Sequence, residues 1–283
     1  MVGIVAAGGG IGALVAPPIA NQLILAFDWR MSYIIIGVIY LIVSLVAAQF
    51  LKRDPAAIGQ TAYGADEVAN DVNHREAPSL PVRKIVGTRQ FWIFLIVQLC
   101  AGIIVHNILV HIAPHITDIG ISTTIAASIL AVTGITTIIG EIILGTAGDR
   151  KGNKKMLAVS ITIMLAGYLW LLNSKDIWQF YLFAAVFGIG IGGCVTQQAP
   201  LVARLFGMSS YGITLALISL GFTIGAAAGP ALSGYIFDIT ASYQTAFLGS
   251  VGIAVIGLIL ILLLKPLVSG STENPSKQEE DYS

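Results

Sequence analysis

One acidic side chain stands out by its position. Of the 15 Asp and Glu residues in the chain, only Glu141 lies well inside an apolar run. An ionised carboxylate at the centre of a bilayer costs roughly 2.5–3.5 kcal/mol even on the lenient insertion scale. Such a group must face a cavity, pair with a base, or stay protonated. Thr133 and Thr137 precede it by eight and four residues, so the three fall within about 80° on one helical face. That polar stripe predicts a cavity lining, where Glu141 can carry a proton or contact a solute. The plainer alternative is a neutral Glu hydrogen-bonded between packed helices.

A second group is His106, Asn107 and His111, with His115 just past Pro114. Asn107, His111 and His115 are spaced by four and share one face. Imidazole titrates near neutral pH and can relay protons or hold a substrate. His111 and His115 also have metal-ligand spacing on a helix. Two ligands do not make a site, and Asp118 is the one carboxylate close in sequence. No metal and no cofactor is therefore expected. His106 and Asn107 lie deeper in the run and are the cavity candidates. Gln197, flanked by Thr196 and Gln198, offers further hydrogen bonds, either to a solute or to a neighbouring helix.

These residues sit in an unusual background. The chain has 283 residues, 56% of them apolar and 11% charged. Its mean hydropathy is +0.85. A soluble domain carries roughly 25% charged residues, so this composition excludes a water-soluble globule, a disordered chain and a basic nucleic-acid binder; the partners expected are a lipid bilayer and a small-molecule solute. The two cysteines, Cys100 and Cys194, lie inside apolar runs and offer no disulfide or metal framework. Apolar runs long enough to cross a bilayer occupy 2–27, 31–51, 91–113, 122–147, 156–173, 177–199, 211–237 and 243–265. Lipid satisfies no free backbone group, so each must be helical. The expected fold is an all-α integral membrane protein, a polytopic bundle of about eight transmembrane helices. Of the 15 Lys and Arg residues, all but Arg30 and Lys175 fall in 52–90, 148–155, 200–210 or the tail from 265 on. Basic loops stay inside, which predicts both termini in the cytoplasm and a location in the plasma (inner) membrane. Trp29, Trp92, Trp170 and Trp178 mark span ends.

An internal repeat organises the spans. An offset of 213 maps Gly8, Ile11, Gly12, Ala13 and Pro17 onto Gly221, Ile224, Gly225, Ala226 and Pro230. Parallel repeats of this kind characterise one large class of secondary transporters. The expected organisation is residues 1–51 as the last two helices of an N-terminal half, 52–90 as a cytoplasmic linker, 91–266 as a six-helix C-terminal half and 267–283 as a disordered cytoplasmic tail. Four further helices are then expected before Met1.

The most specific signal joins the fourth and fifth spans: Gly145, Asp149, Arg150, Gly152, Lys154 and Lys155 in the pattern GxxxDRxGxKK. The glycines permit a tight turn. Asp149 can accept from a neighbouring helix N-terminus or pair with Arg150. The basic cluster suits an anionic inner leaflet. This loop resembles the signature cytoplasmic loop of the major facilitator superfamily. Gly225, Gly229 and Pro230 resemble its Gly-Pro helix motif, and Gly12 and Pro17 look like the same motif in the fifth helix of twelve, where Pro18 adds a second bend. Asp28-Trp29-Arg30 and Lys52-Arg53-Asp54-Pro55 resemble the monocarboxylate and oxalate/formate transporter branch. The resemblance implies a secondary transporter of a monocarboxylate-like anion, working by alternating access with proton coupling or exchange. Many members of that branch carry an arginine four residues before the glycine that opens the loop. Here that position is Glu141, and like charge repels a carboxylate.

Two other classes compete. An intramembrane metal-dependent enzyme would have to draw on His111, His115 and Asp118, and neither HExxH nor GxSxG occurs. A non-transporting remnant would follow if four helices were missing. An enzyme is not the expectation, and a non-transporting remnant stays the alternative to a transporter.

Overall fold

A computed structural model describes residues 2–50, 81–208 and 210–265. Among these residues the chain forms helices only. In order they are α1 (Val2–Phe27), α2 (Trp29–Phe50), a short α3 (Val82–Val86), α4 (Arg89–Asp118), α5 (Thr123–Lys151), α6 (Asn153–Leu171), α7 (Ile177–Phe206), α8 (Tyr211–Thr240) and α9 (Tyr243–Leu263). Seven of them, α2 and α4 to α9, are long and apolar enough to cross a membrane. The remaining expected span is α1, helical over 26 residues, with Leu14–Phe27 as its described apolar stretch. The tail from 267 and the linker up to residue 80 lie outside the described residues, while 81–90 hold α3 and the first turn of α4.

Local chemistry sets the helix ends. Thr88 opens α4 by accepting the Phe91 amide at 3.2 Å, and Asp176 with Gln179 forms a capping box at α7. Asp28 alone separates α1 from α2, at a φ of 100°, and its Oδ1 accepts the Met31 amide at 3.0 Å. The expected loop after the fourth span is in fact a one-residue break. α5 continues through Asp149 and Arg150 to Lys151, and Gly152, at a φ of 98°, starts the next helix directly. Without a Cβ that backbone is easily reached. α4 and α7 also run past Pro114 and Pro200, beyond the apolar windows that suggested their ends. A proline removes one donor from the ladder, and polar last turns need no lipid-compatible side chains once they leave the hydrocarbon.

Small residues bring the helices together. α8 lays Gly221, Gly225 and Gly229 on the α4 backbone at Leu95, Leu99 and Ile103. α5 and α7 interlock where Gly140 meets Ile189 and Gly192 meets Thr137 and Glu141. α6 packs on α7, α9 on α4 and α6, α1 on α5, and α2 on α1. The aromatic centre includes Phe94, Tyr168, Phe180, Phe183, Phe187 and Phe247. Tyr168 meets Phe187 edge-on at 5.4 Å and donates its hydroxyl to the Ile104 carbonyl at 2.6 Å. α2 buries Ser32 and exposes most of its apolar side chains, as a lipid-facing helix does.

Filling the α5–α7 seam should be costly. Gly192→Val should destabilise the bundle by about 1–3 kcal/mol. Gly252→Ala, where an added carbon meets open space, should stay within about 0.5 kcal/mol. Thermal unfolding of the two variants in detergent checks the contrast.

Candidate functional site

A cavity of about 570 Å³ lies between α1, α4, α5, α7 and α8. This is the size range of small-molecule sites, roughly 300–1,000 Å³. Gly12, Ala16 and Pro17 face it from α1, and Val105, His106 and Leu109 from α4. α5 contributes Leu130, Thr133, Gly134, Thr137 and Glu141; Ile191 and Val195 of α7 and Phe222 of α8 complete the wall. The stripe of Thr133, Thr137 and Glu141 thus stands together on the cavity side of α5. Helical spacing put them there, and the Gly192 contact holds the α5 backbone at Glu141 against α7.

Glu141 is 3% exposed. Its Oε2 has no hydrogen-bond partner among the described residues. The threonine hydroxyls are already committed as donors: Thr133 to the Ile129 carbonyl at 3.1 Å and Thr137 to the Thr133 carbonyl at 2.8 Å. Each keeps a lone pair for the cavity. His106 places Nδ1 3.2 Å from the Gly102 carbonyl. A carbonyl only accepts, so Nδ1 carries the proton in the neutral ring and Nε2 remains an acceptor. Phe222 meets the His106 ring edge-on, with centroids 5.4 Å apart.

Two sequence candidates point elsewhere. Asn107 is fully buried and donates to the Ser250 hydroxyl of α9 at 2.6 Å. One residue is about 100° of helix rotation, which carries Asn107 away from the cavity that His106 faces. Gln197 is buried too, and bonds helix to helix. Its Nε2 donates to the Leu144 carbonyl at 2.8 Å, and its Oε1 accepts from Asn153 at 2.7 Å. His111 donates Nε2 to the Pro230 carbonyl at 2.9 Å, and His115 sits against the rings of Phe180, Tyr243 and Phe247. The apolar wall residues escaped the sequence reading, because a cavity-facing Leu and a lipid-facing Leu look alike in one dimension.

The comparisons with known proteins decide the family. The sequence model of the Major Facilitator Superfamily matches residues 1–140 and again residues 99–282. The chain belongs to the major facilitator superfamily. Family and apolar helices together make it a multi-pass membrane protein. It is 25% identical over 269 residues to monocarboxylate transporter 12 of Rattus norvegicus, across 87% of this chain and 55% of that protein. It is 22% identical over 276 residues to a probable sulfoacetate transporter of Cupriavidus necator, across 92% of this chain and 63% of the relative. An uncharacterized MFS-type transporter of Escherichia coli is 25% identical over 220 residues, 76% of this chain and 52% of its own length. The chain thus spans little more than half the length of these curated relatives.

The superfamily loop motif has a physical role here that its charges do not explain. Asp149 and Arg150 are exposed and form no ion pair with each other among the described residues. Of the two partners open to Asp149, Arg150 is not engaged: α5 stays helical through both, so their side chains diverge by about 100°. Lys154 instead donates to the Leu262 carbonyl at the end of α9, at 2.9 Å, where a cation also suits the helix dipole. Lys155 is exposed. A Cβ on Gly145 would come within 3.6 Å of Thr196, and one on Gly148 would collide with the Gln197 amide. The bend motifs differ in environment. Gly12 and Pro17 open on the cavity, next to a half-buried Pro18, whereas Gly225, Gly229 and Pro230 pack on α4.

The Gln197 bridge should be measurable. Gln197→Leu strands the Asn153 amide and the Leu144 carbonyl, and should cost about 1 kcal/mol, within the range of interhelical hydrogen bonds in membranes. Thermal unfolding in detergent reads the cost, with Gln198→Leu, which loses a single part-buried bond to Ser219 at 2.9 Å, as the milder comparison.

Proposed function

We infer that the protein is a secondary transporter, not an enzyme, and that it moves a small organic solute across the membrane by alternating access. The observation that carries this reading is the cavity itself: a solute-sized space inside a helical membrane bundle, with a buried carboxylate whose Oε2 lacks a partner among the described residues. A carboxylate at that depth is tolerated only when hydrated, paired or protonated. Glu141 is accordingly the proton site of the transport cycle, and Thr133, Thr137 and His106 contact the solute. Family membership and the transporter names of the relatives support the same class.

On this reading residues 1–51 are the end of one half, 91–266 form the other, and 52–90 join them on the cytoplasmic side of the plasma (inner) membrane. The distribution of Lys and Arg supports that orientation. The relatives' names make a small carboxylate the first solute class to test. It would enter only against a protonated Glu141, because no Lys or Arg lines the cavity among the described residues.

Glu141→Gln fixes the side chain in a neutral state. Solute exchange in proteoliposomes should lose its dependence on pH in this variant, while the wild type keeps it. An unaltered pH profile and rate in Glu141→Gln would remove Glu141 from the cycle.

A further inference from the structure

The hydrogen-bonding inventory of the cavity is one-sided. With Glu141 ionised, every polar group that faces it among the described residues is an acceptor. Glu141 presents an unpartnered Oε2. Thr133 and Thr137 have given their hydroxyl protons to helix carbonyls and retain only lone pairs. His106 directs its Nδ1 proton at the Gly102 carbonyl, leaving Nε2 as an acceptor. Among the described residues no lysine, arginine, asparagine, glutamine or tryptophan contributes a donor to the wall.

The approach to the cavity has the same sign. A second space of about 440 Å³ shares Pro17 and Leu130 with the first and runs toward the turn between α4 and α5. Among the described residues its one ionisable lining residue is Asp118, which is exposed. Two carboxylates on one path, with no lining cation, focus a negative potential along low-dielectric walls. An anionic head group would meet repulsion at Asp118 and again at an ionised Glu141, which then offers it no donor.

We propose that this cavity selects a small solute with a positively charged, donor-rich head, an ammonium or guanidinium, on an apolar body. The inference rests on the reading of the cavity as the solute site and specifies its ligand. An ammonium brings three donors and a guanidinium five, which matches acceptors at Glu141, Thr137, Thr133 and His106. Phe222 lies on the same wall, and aromatic faces attract cations within about 6 Å. The remaining wall is aliphatic and suits a hydrocarbon body. An ion pair between Glu141 and the solute also relieves the cost of an isolated charge in the bilayer. The head group thereby departs from the carboxylate that the relatives' names suggest.

Phenethylammonium and phenylacetate form a matched pair of probes, with one aromatic body and opposite head charge. Equilibrium binding of each to the purified chain in lipid nanodiscs tests the selection directly. The expected result is that phenethylammonium binds wild type at least tenfold more tightly than phenylacetate. Glu141→Gln, nearly isosteric, should erase most of that preference. Asp118→Asn, exposed and outside the first cavity, should leave the final preference and slow phenethylammonium association at low salt. Equal or tighter binding of phenylacetate to wild type overturns the proposal without needing any variant. So does unchanged phenethylammonium affinity in Glu141→Gln, or an absence of binding by either probe. Counterflow in proteoliposomes separates this failure from that of the transport reading: movement of phenylacetate alone sinks the cation selection and leaves a transporter.

Discussion

The structure turns on one unfavourable act, the placement of a carboxyl group among apolar helices. Glu141 sits in α5 with 3% of its surface exposed and an Oε2 that no described residue satisfies. In hydrocarbon that arrangement is strongly disfavoured. It becomes tolerable because the group borders a cavity of about 570 Å³ rather than acyl chains. That cavity is lined by residues of α1, α4, α5, α7 and α8. Removing the space would leave the acid without solvent, proton or partner.

Glycine contacts supply the rigidity that such a space needs. The α4–α8 and α5–α7 pairs touch backbone to backbone at Gly225 and Gly192, so their outer walls cannot collapse inward without prising apart close contacts. Polar side chains on the far faces do the same with hydrogen bonds. Asn107 reaches Ser250, Gln197 ties Leu144 to Asn153, and Tyr168 reaches Ile104. α4, α5 and α7 therefore each have a bonded face and a cavity face. The division explains why adjacent residues such as His106 and Asn107 have unrelated roles.

The two copies of the Gly-Pro pattern show how context sets meaning. In α8 the glycines are packed against α4 and the Pro230 carbonyl accepts from His111. In α1 an added carbon at Gly12 would meet nothing within 4 Å, and Pro17 faces the cavity. The same residues at the same spacing make a seam in one place and a cavity wall in the other. What differs is only which helix stands opposite.

Much of this was legible in one dimension, and the reasons are physical. Lipid allows a buried backbone few options, so hydropathy alone predicts helices and their approximate spans. Charge at mid-span is so costly that Glu141 announces itself, and the 3.6-residue period places Thr133 and Thr137 beside it. The DRxGxKK pattern was enough to suggest the superfamily. Helix ends were less legible, since α4 and α7 outrun their apolar windows and α5 needs only Gly152 to turn. What tertiary structure alone decided was the azimuth of each helix. It sent Asn107 and Gln197 into interhelical bonds, left Asp149 exposed, and chose the apolar residues that line the cavity. Sequence encodes periodicity along a helix, but the direction a face points depends on neighbours distant in the chain, and only packing supplies them.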